Sequence, residues 1–331
     1  MLKKDPLQII AFQSYGTHSH LYVLGRALED EIINLEDKSL WSLIINTWKR
    51  FETDEIKHVW INVRLPNGKI FKTKTDNHGY FKIDAQVDGL DKMANAEGWV
   101  PYEVSYLDTN CKRKIQNNNC FKGELLIAST DAEYGVISDV DDTILHTGVT
   151  SYLKWRVIIN TVFRHAKNRL PLKGASEFYH MLHLGSSGNS FNPIFYVSHS
   201  PWNLYRYLDL FLKQNNFPKG PILLRSFATI FRRKKGEKPQ KQKEIINLLN
   251  TYPNLSFILI GDSGEHDPDI YIEIAKTFPN RIKAIYLRSV KHKKKIRRVK
   301  TLLENYTSTP ALLVESSDQA IAHAKANGFI I

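Results

Sequence analysis

Gly135-Val136-Ile137-Ser138-Asp139-Val140-Asp141-Asp142-Thr143 is the stretch on which the reading of this chain turns. Val136 and Ile137 suit a buried strand, and the acids arrive where that strand should run out. In open parallel α/β sheets, ligands bind at that carboxyl edge. Alternate residues of an extended segment point the same way, so Asp139 and Asp141 can share one cavity. Two carboxylates there repel each other unless a cation or a shared proton offsets the charge. Taken alone, the acids read equally well as a helix cap. The rest of the chain decides.

Working outward, Ile194-Phe195-Tyr196-Val197-Ser198-His199-Ser200-Pro201-Trp202-Asn203 is a second apolar strand, ending in Ser198. Ser200 before Pro201 predicts a helix start, because proline fits the first helical position. A hydroxyl beside the free N–H groups of a helix N-terminus suits phosphate, although a plain serine cap explains it too. The third stretch runs from Phe257 through Gly261-Asp262-Ser263-Gly264 to Asp267-Pro268. Asp262 is placed to ligate a hard cation at the same edge as Asp139. Asp267 precedes Pro268 and a helix carrying Ile270, Ile274 and Phe278, so it can cap that helix, ligate a cation, or both. A phosphoryl site also needs a cation against the charge of its transition state. Lys241 and Lys243 begin the helix that carries Ile245, Ile246, Leu248 and Leu249, and either could reach into the site.

The fold follows from the alternation around these stretches. Val136–Ser138, Ile194–Val197, Phe257–Ile260, Ile282–Leu287 and Ala311–Val314 read as strands. Asn203–Leu212, Gln242–Asn250, Asp269–Phe278 and Asp318–Asn327 between and after them read as helices. Residues 131–331 are therefore expected to form an α/β domain, a doubly wound parallel sheet. Residues 1–130 read as β. Leu21–Ala27, Val59–Leu65, Ile70–Lys74, Tyr80–Ile83, Val100–Leu107 and Glu124–Ala128 are short strands, with turns at Pro66-Asn67-Gly68 and Asp76-Asn77-His78-Gly79. Their spacing suggests a small β-sandwich. Ser39–Phe51 alone has helical periodicity there.

Composition narrows the function classes. With 331 residues, 42% of them apolar, the chain can fill about two cores and is not a disordered protein. No apolar run approaches the ~20 residues of a membrane span. The first residues lack the apolar region of a secretory signal, so cytoplasm is the expected compartment. Cys111 and Cys120 are expected to be free thiols, and without a second pair a structural zinc is not expected. The net charge of +12 asks for an anionic partner. It gathers in Arg232-Arg233-Lys234-Lys235 with Lys238, and in Lys291, Lys293, Lys294, Lys295, Arg297, Arg298 and Lys300. Such clusters attract acidic lipid headgroups or nucleic acid, or simply form a solvated face.

In order, spacing and strand context, the segments around Asp139, Ser198, Lys241 and Asp262 resemble the haloacid dehalogenase superfamily of aspartyl phosphatases. Their wording is more narrowly similar to the catalytic domain of the actin patch protein type of phosphatidate phosphatase. The front half, with Gly16-Thr17 and Gly25-Arg26, looks like the domain preceding it in bacterial relatives. The resemblance implies a Mg²⁺-dependent hydrolysis of phosphatidate. In it Asp139 is the nucleophile, Asp141 the general acid and base, and Thr143 orients Asp141. Ser198, Ser200 and Lys241 would hold the phosphate, while Asp139, Asp141 (through its carbonyl), Asp262 and Asp267 would surround the metal. One departure stands out: the family's His-Lys pair falls here on Gln240-Lys241. The aromatic and basic stretch from Tyr152 to Arg164 sits where this superfamily places a cap, and would suit peripheral contact with an anionic membrane. Two alternatives remain, a phosphatase for a soluble or nucleic-acid phosphate and a silent phosphatidate-binding module. The complete set of acids and lysine argues against the second.

Overall fold

The computed structural model describes residues 5–29, 55–108, 113–141, 143–144, 174–225, 238–264, 266–290 and 292–331. The helix expected over Ser39–Phe51, the Tyr152–Arg164 stretch, Cys111 and the Arg232–Lys235 cluster lie outside the described residues. Contacts divide the chain into two units: Met1–Ala128 with Asn203–Tyr207, and Ser129–Trp202 with Leu208–Ile331.

In the first unit eight strands are hydrogen-bonded into one sheet. They are β1 (Leu7–Ala11), β2 (Ser14–Gly16), β3 (His20–Glu29), β4 (Trp60–Arg64), β5 (Ile70–Lys74), β6 (Tyr80–Gln86), β7 (Trp99–Tyr106) and β8 (Phe121–Ile127). The order is β1-β3-β2-β8-β7-β4-β5, with β6 on the other edge of β3. β2 and β8 run parallel and the remaining pairs antiparallel. The path curls back on itself, since Thr73 of β5 donates its hydroxyl to the Lys82 carbonyl of β6 at 3.0 Å. Alternation drives this: in β6, Phe81 and Ile83 are buried while Lys82 and Asp84 face water. Leu21, Val23, Ile61, Val63, Val100 and Val104 form the centre of the core. The turn before β6 is built by Asp76, whose Oδ1 accepts the N–H groups of His78 (2.7 Å) and Tyr80 (2.9 Å). Gly79 takes the positive φ, +75°, that this turn requires.

The second unit holds a six-stranded, wholly parallel sheet. Its strands are β9 (Gly135–Ser138), β10 (Ile194–Pro201), β11 (Ile222–Arg225), β12 (Phe257–Asp262), β13 (Ile282–Arg288) and β14 (Ala311–Val314). The order is β11-β10-β9-β12-β13-β14. The chain therefore enters at a central strand, builds outward through β10 and β11, and returns to the far side of β9 to lay down β12. That reversal is a topological switch point, the place where such sheets bind ligands. β9 and β12 are buried along their whole length, as strands covered on both faces must be. The described helices are α1 (Ala175–Leu184), α2 (Tyr205–Gln214), α3 (Gln240–Thr251), α4 (Asp267–Thr277), α5 (Lys293–Glu304) and α6 (Ser317–Ala326). No helix among the described residues is long and apolar enough to cross a membrane.

Some elements differ from the expectation. β10 continues through Ser200 to Pro201, and one 3-10 turn, Trp202–Leu204, intervenes before α2. Pro201 thus ends a strand instead of opening a helix. β1, β2, β11, α1 and α5 were not expected at all. In α5 the apolar stripe is only Ile296, Val299 and Leu303 amid six basic residues, so charge hides the period.

Candidate functional site

Burial is the first unusual property of the predicted residues. Asp139, Asp141, Thr143, Ser198, Ser200, Lys241, Asp262 and Asp267 are all buried. Charged side chains reach such positions only when paired or ligated. Each sits at the carboxyl edge of the second unit's sheet or on a helix leading to it. Asp139 follows β9, and its N–H donates to the Ile260 carbonyl of β12 at 2.8 Å, which fixes the aspartate over the β9–β12 junction.

Lys241, in the first turn of α3, ties the acids together. Its Nζ donates to Asp139 Oδ1 at 2.7 Å and to Asp267 Oδ1 at 2.5 Å, and its side chain is completely shielded from solvent. The ring of Tyr271 lies 5.9 Å from the ammonium. Burial on its own would lower the lysine's pKa. The charges of Asp139 and Asp267 outweigh it and hold the pKa well above the ordinary lysine value, so Lys241 is a cation. Lys243, two residues on, is exposed.

Asp139 is held well above the usual carboxylate range by burial, with Asp267, Asp141 and Asp262 adding to it and Lys241 pulling the other way. Asp141, Asp262 and Asp267 thus crowd Asp139 with negative charge that Lys241 opposes. Oxygens of Asp139, Asp262 and Asp267 lie within 4.8 Å of one another. Three buried carboxylates so placed are the hard oxygen donors that Mg²⁺ or a similar divalent cation takes, and the residues fit such an ion. The outer contacts also suit a metal centre. The Gly264 N–H donates to Asp262 Oδ1, and the Asp262 N–H to Asp267 Oδ2 at 3.4 Å.

Asp267 resolves its two readings in favour of the cluster. His266 holds the N-cap position of α4 without a side-chain capping bond, and the Asp267 carboxylate turns to the Lys241 ammonium and the Asp262 N–H. Gly261 makes this approach possible. A Cβ there would fall on Asp267 Oδ2 and lie 2.8 Å from Tyr271 Cε2. Gly261→Ala is expected to lower stability by about 1–3 kcal/mol through overpacking. The clash would also push the Asp267 carboxylate out of the acid cluster. Thermal melts would read the loss of stability.

Asp141 occupies different surroundings from Asp139, two residues away. Its Oδ2 accepts hydroxyl hydrogen bonds from Ser198 (2.5 Å) and Ser200 (3.1 Å), and Ser198 Oγ in turn accepts the Ser200 N–H at 2.9 Å. Both serines reach it because β10 stays extended past Val197. Thr143 differs from its expected role. Its hydroxyl donates to Asp139 Oδ2 at 3.2 Å instead of to Asp141. The turn after β9, marked by the Ile144 N–H to Val140 carbonyl bond of 3.1 Å, folds Thr143 back over the residue four positions earlier.

Residues 134–289 match the family described as "Phosphatidate phosphatase APP1, catalytic domain". All eight site residues fall inside that span. The chain is 36% identical over 237 residues to the protein named Phosphatidate phosphatase APP1 of Saccharomyces cerevisiae, which covers 68% of this chain and 36% of that protein. It is 25% identical over 280 residues to Uncharacterized protein C29B5.04c of Schizosaccharomyces pombe, covering 84% of this chain and 41% of that one. The chain thus spans well under half the length of these curated relatives. Among solved structures, a Bacteroides thetaiotamicron endoglycosidase, EndoBT-3987 with its Man5GlcNAc product, aligns over 96% of this chain and 92% of its own at 6% identity. Its TM-score of 0.25 carries no argument about fold or function.

Proposed function

We propose that this chain is a Mg²⁺-dependent phosphatidate phosphatase that releases phosphate through an aspartyl-phosphate on Asp139. The observation that carries the reading is the separation of the two acids. Asp139 lies against an ammonium and two further carboxylates, whereas Asp141 lies against two hydroxyls. A pair of carboxylates in unlike surroundings can divide the roles of nucleophile and acid. The match over residues 134–289 supports the substrate class.

Asp139 attacks phosphorus, the bond to the leaving alcohol breaks, and Asp141 supplies that alcohol's proton. Asp141 then takes a proton from water as the water attacks the acyl phosphate, restoring Asp139 as a carboxylate. Lys241 faces the nonbridging oxygens that gather charge, and Thr143 orients Asp139. A phosphate seated between Asp139 and Ser198 takes over the Ser198 hydroxyl from Asp141. Asp139, Asp262 and Asp267 would hold Mg²⁺, with the Asp141 carbonyl as a further donor; when bound, the ion offsets charge among acids and phosphate. In this reading the second unit is haloacid dehalogenase-like, the first is sandwich-like, and the protein works in the cytoplasm at the surface of an anionic membrane.

The test is phosphate release from phosphatidate in mixed micelles, beside p-nitrophenyl phosphate and a 5′-phosphorylated oligonucleotide. Mg²⁺-dependent release from the lipid, lost with chelator, is expected. Asp141→Asn should lower turnover about 10²–10⁴-fold, and less for p-nitrophenyl phosphate, whose leaving group scarcely needs a proton. Release from the oligonucleotide with none from the lipid would replace phosphatidate by a nucleic-acid phosphate.

A further inference from the structure

The first turn of α5 breaks an electrostatic rule. Lys293, Lys294 and Lys295 occupy the positive end of the helix macrodipole, and no acid accompanies them there. Cations at that end destabilise a helix. Local rules broken in this way are expected where a function compensates. Lys293, Arg297 and Lys300 follow one stripe at helical spacing, with Lys294 beside it, and all four are exposed. Val299 is buried on the opposite side, where α5 packs on β14. Arg298 is committed to Asp269, and the remaining four exposed cations have no carboxylate in ion-pair reach among the described residues.

The stripe is also well placed. β13 ends at the same sheet edge as Asp139 and Asp262, and α5 starts five residues beyond Arg288. Lys295 Nζ donates to the carbonyl of Gly264, whose own N–H holds Asp262. The basic face therefore begins against the loop that carries a site carboxylate.

We propose that the α5 face formed by Lys293, Lys294, Arg297 and Lys300 docks the second unit on an anionic lipid bilayer, next to the mouth of the site. This rests on the phosphatidate reading above. The stripe spans about 10 Å at ~1.5 Å per residue, enough to meet more than one headgroup at once. A bilayer offers such a repeated array of anions around each substrate phosphate. The patch raises encounter with the surface and takes no part in bond making.

The decisive experiment is flotation with phosphatidylcholine vesicles containing or lacking phosphatidylserine, and no phosphatidate, so that docking is read apart from turnover. The full chain should bind the anionic vesicles only, and binding should fade as salt rises. Each basic residue near such a surface contributes roughly a fivefold gain in partitioning. Replacing Lys293, Lys294, Arg297 and Lys300 together by glutamine should therefore weaken binding on the order of several hundredfold. The melting temperature should be equal or higher, because the helix end is relieved of cations. A second variant with Lys69, Lys72, Lys74 and Lys122 changed to glutamine removes the same charge from exposed positions of the first unit. It should bind within a few-fold of the parent. Equal loss in both variants would reduce the effect to net charge, and unchanged binding of the α5 variant would end the proposal. Salt-sensitive capture of a polynucleotide without vesicle binding would also overturn it. If phosphatidate in detergent micelles is not hydrolysed while phosphatidylserine vesicles still bind through α5, the substrate reading fails and the docking face stands.

Discussion

Asp139→Asn is expected to abolish phosphate release from phosphatidate and p-nitrophenyl phosphate alike, by at least about 10⁴-fold. An amide of the same shape cannot form the acyl phosphate, and loss of a nucleophile is among the costliest single changes an enzyme can undergo. The fold should survive it. Lys241 keeps Asp267 as its partner, and one of several mutually repelling buried carboxylates is gone. The sign of the pH effect follows. Because Asp139's pKa is raised in the folded state, its contribution to stability is complete below the unfolded value of about 4 and is lost as pH rises through the folded value. In chelator, the melting temperature of Asp139→Asn should therefore gain on that of the parent as pH rises. On the proposed metal role, Mg²⁺ should close the gap by binding the parent's carboxylates. Turnover within about tenfold of the parent would mean that another group attacks phosphorus.

The second large effect is Lys241→Met, which damages stability and catalysis through separate physics. Methionine fills similar space but leaves Asp139 and Asp267 buried without their counter-charge. Breaking a buried pair in this way costs about 3–5 kcal/mol. For a domain of this size that is a fall in melting temperature of roughly 6–20 °C. Transition-state charge on phosphate also loses a donor, a further factor of about 10²–10³ in kcat. Adding Asp139→Asn to Lys241→Met should restore part of the lost stability and none of the activity, a coupling expected of neighbours in direct contact. If the double variant is no more stable than the single one, the two side chains are not the pair described. Lys241→Arg should not rescue, because a planar, forked guanidinium does not reproduce the compact ammonium that Asp139 and Asp267 share.

The sequence made the parallel sheet legible through its buried strands. Val136-Ile137, Phe257–Ile260 and Ala284–Leu287 are apolar on both faces, so their identity does not depend on register. Elements that escaped notice lack such a signal. β11 offers only Ile222, Leu223 and Leu224 after Pro221, and β2 only Ser14, Tyr15 and Gly16, which gain definition from pairing with β8 and β3. At the site, the residue types were readable and their partners were not. Lys241 stood out over Lys243 only by resemblance, while burial separates them at once. That Thr143 serves Asp139, and that Ser200 turns to Asp141, depends on how far a strand continues and how a turn folds back. Gly261 gave no chemical signal at all, because what it contributes is the absence of a side chain beside Asp267.

The placement of β9 has a consequence for the order in which the protein comes into being. Its neighbour on one side, β12, pairs Leu259 with Ile137, more than a hundred residues later in the chain. A ribosome adding about 5–20 residues per second exposes the Asp139 segment for several seconds before Lys241, Asp262 and Asp267 emerge. During that interval Asp139 and Asp141 are ordinary solvated acids on an unfinished chain. The charge cluster arises only when β12 slots in beside β9, so a partly synthesised chain carries no assembled site.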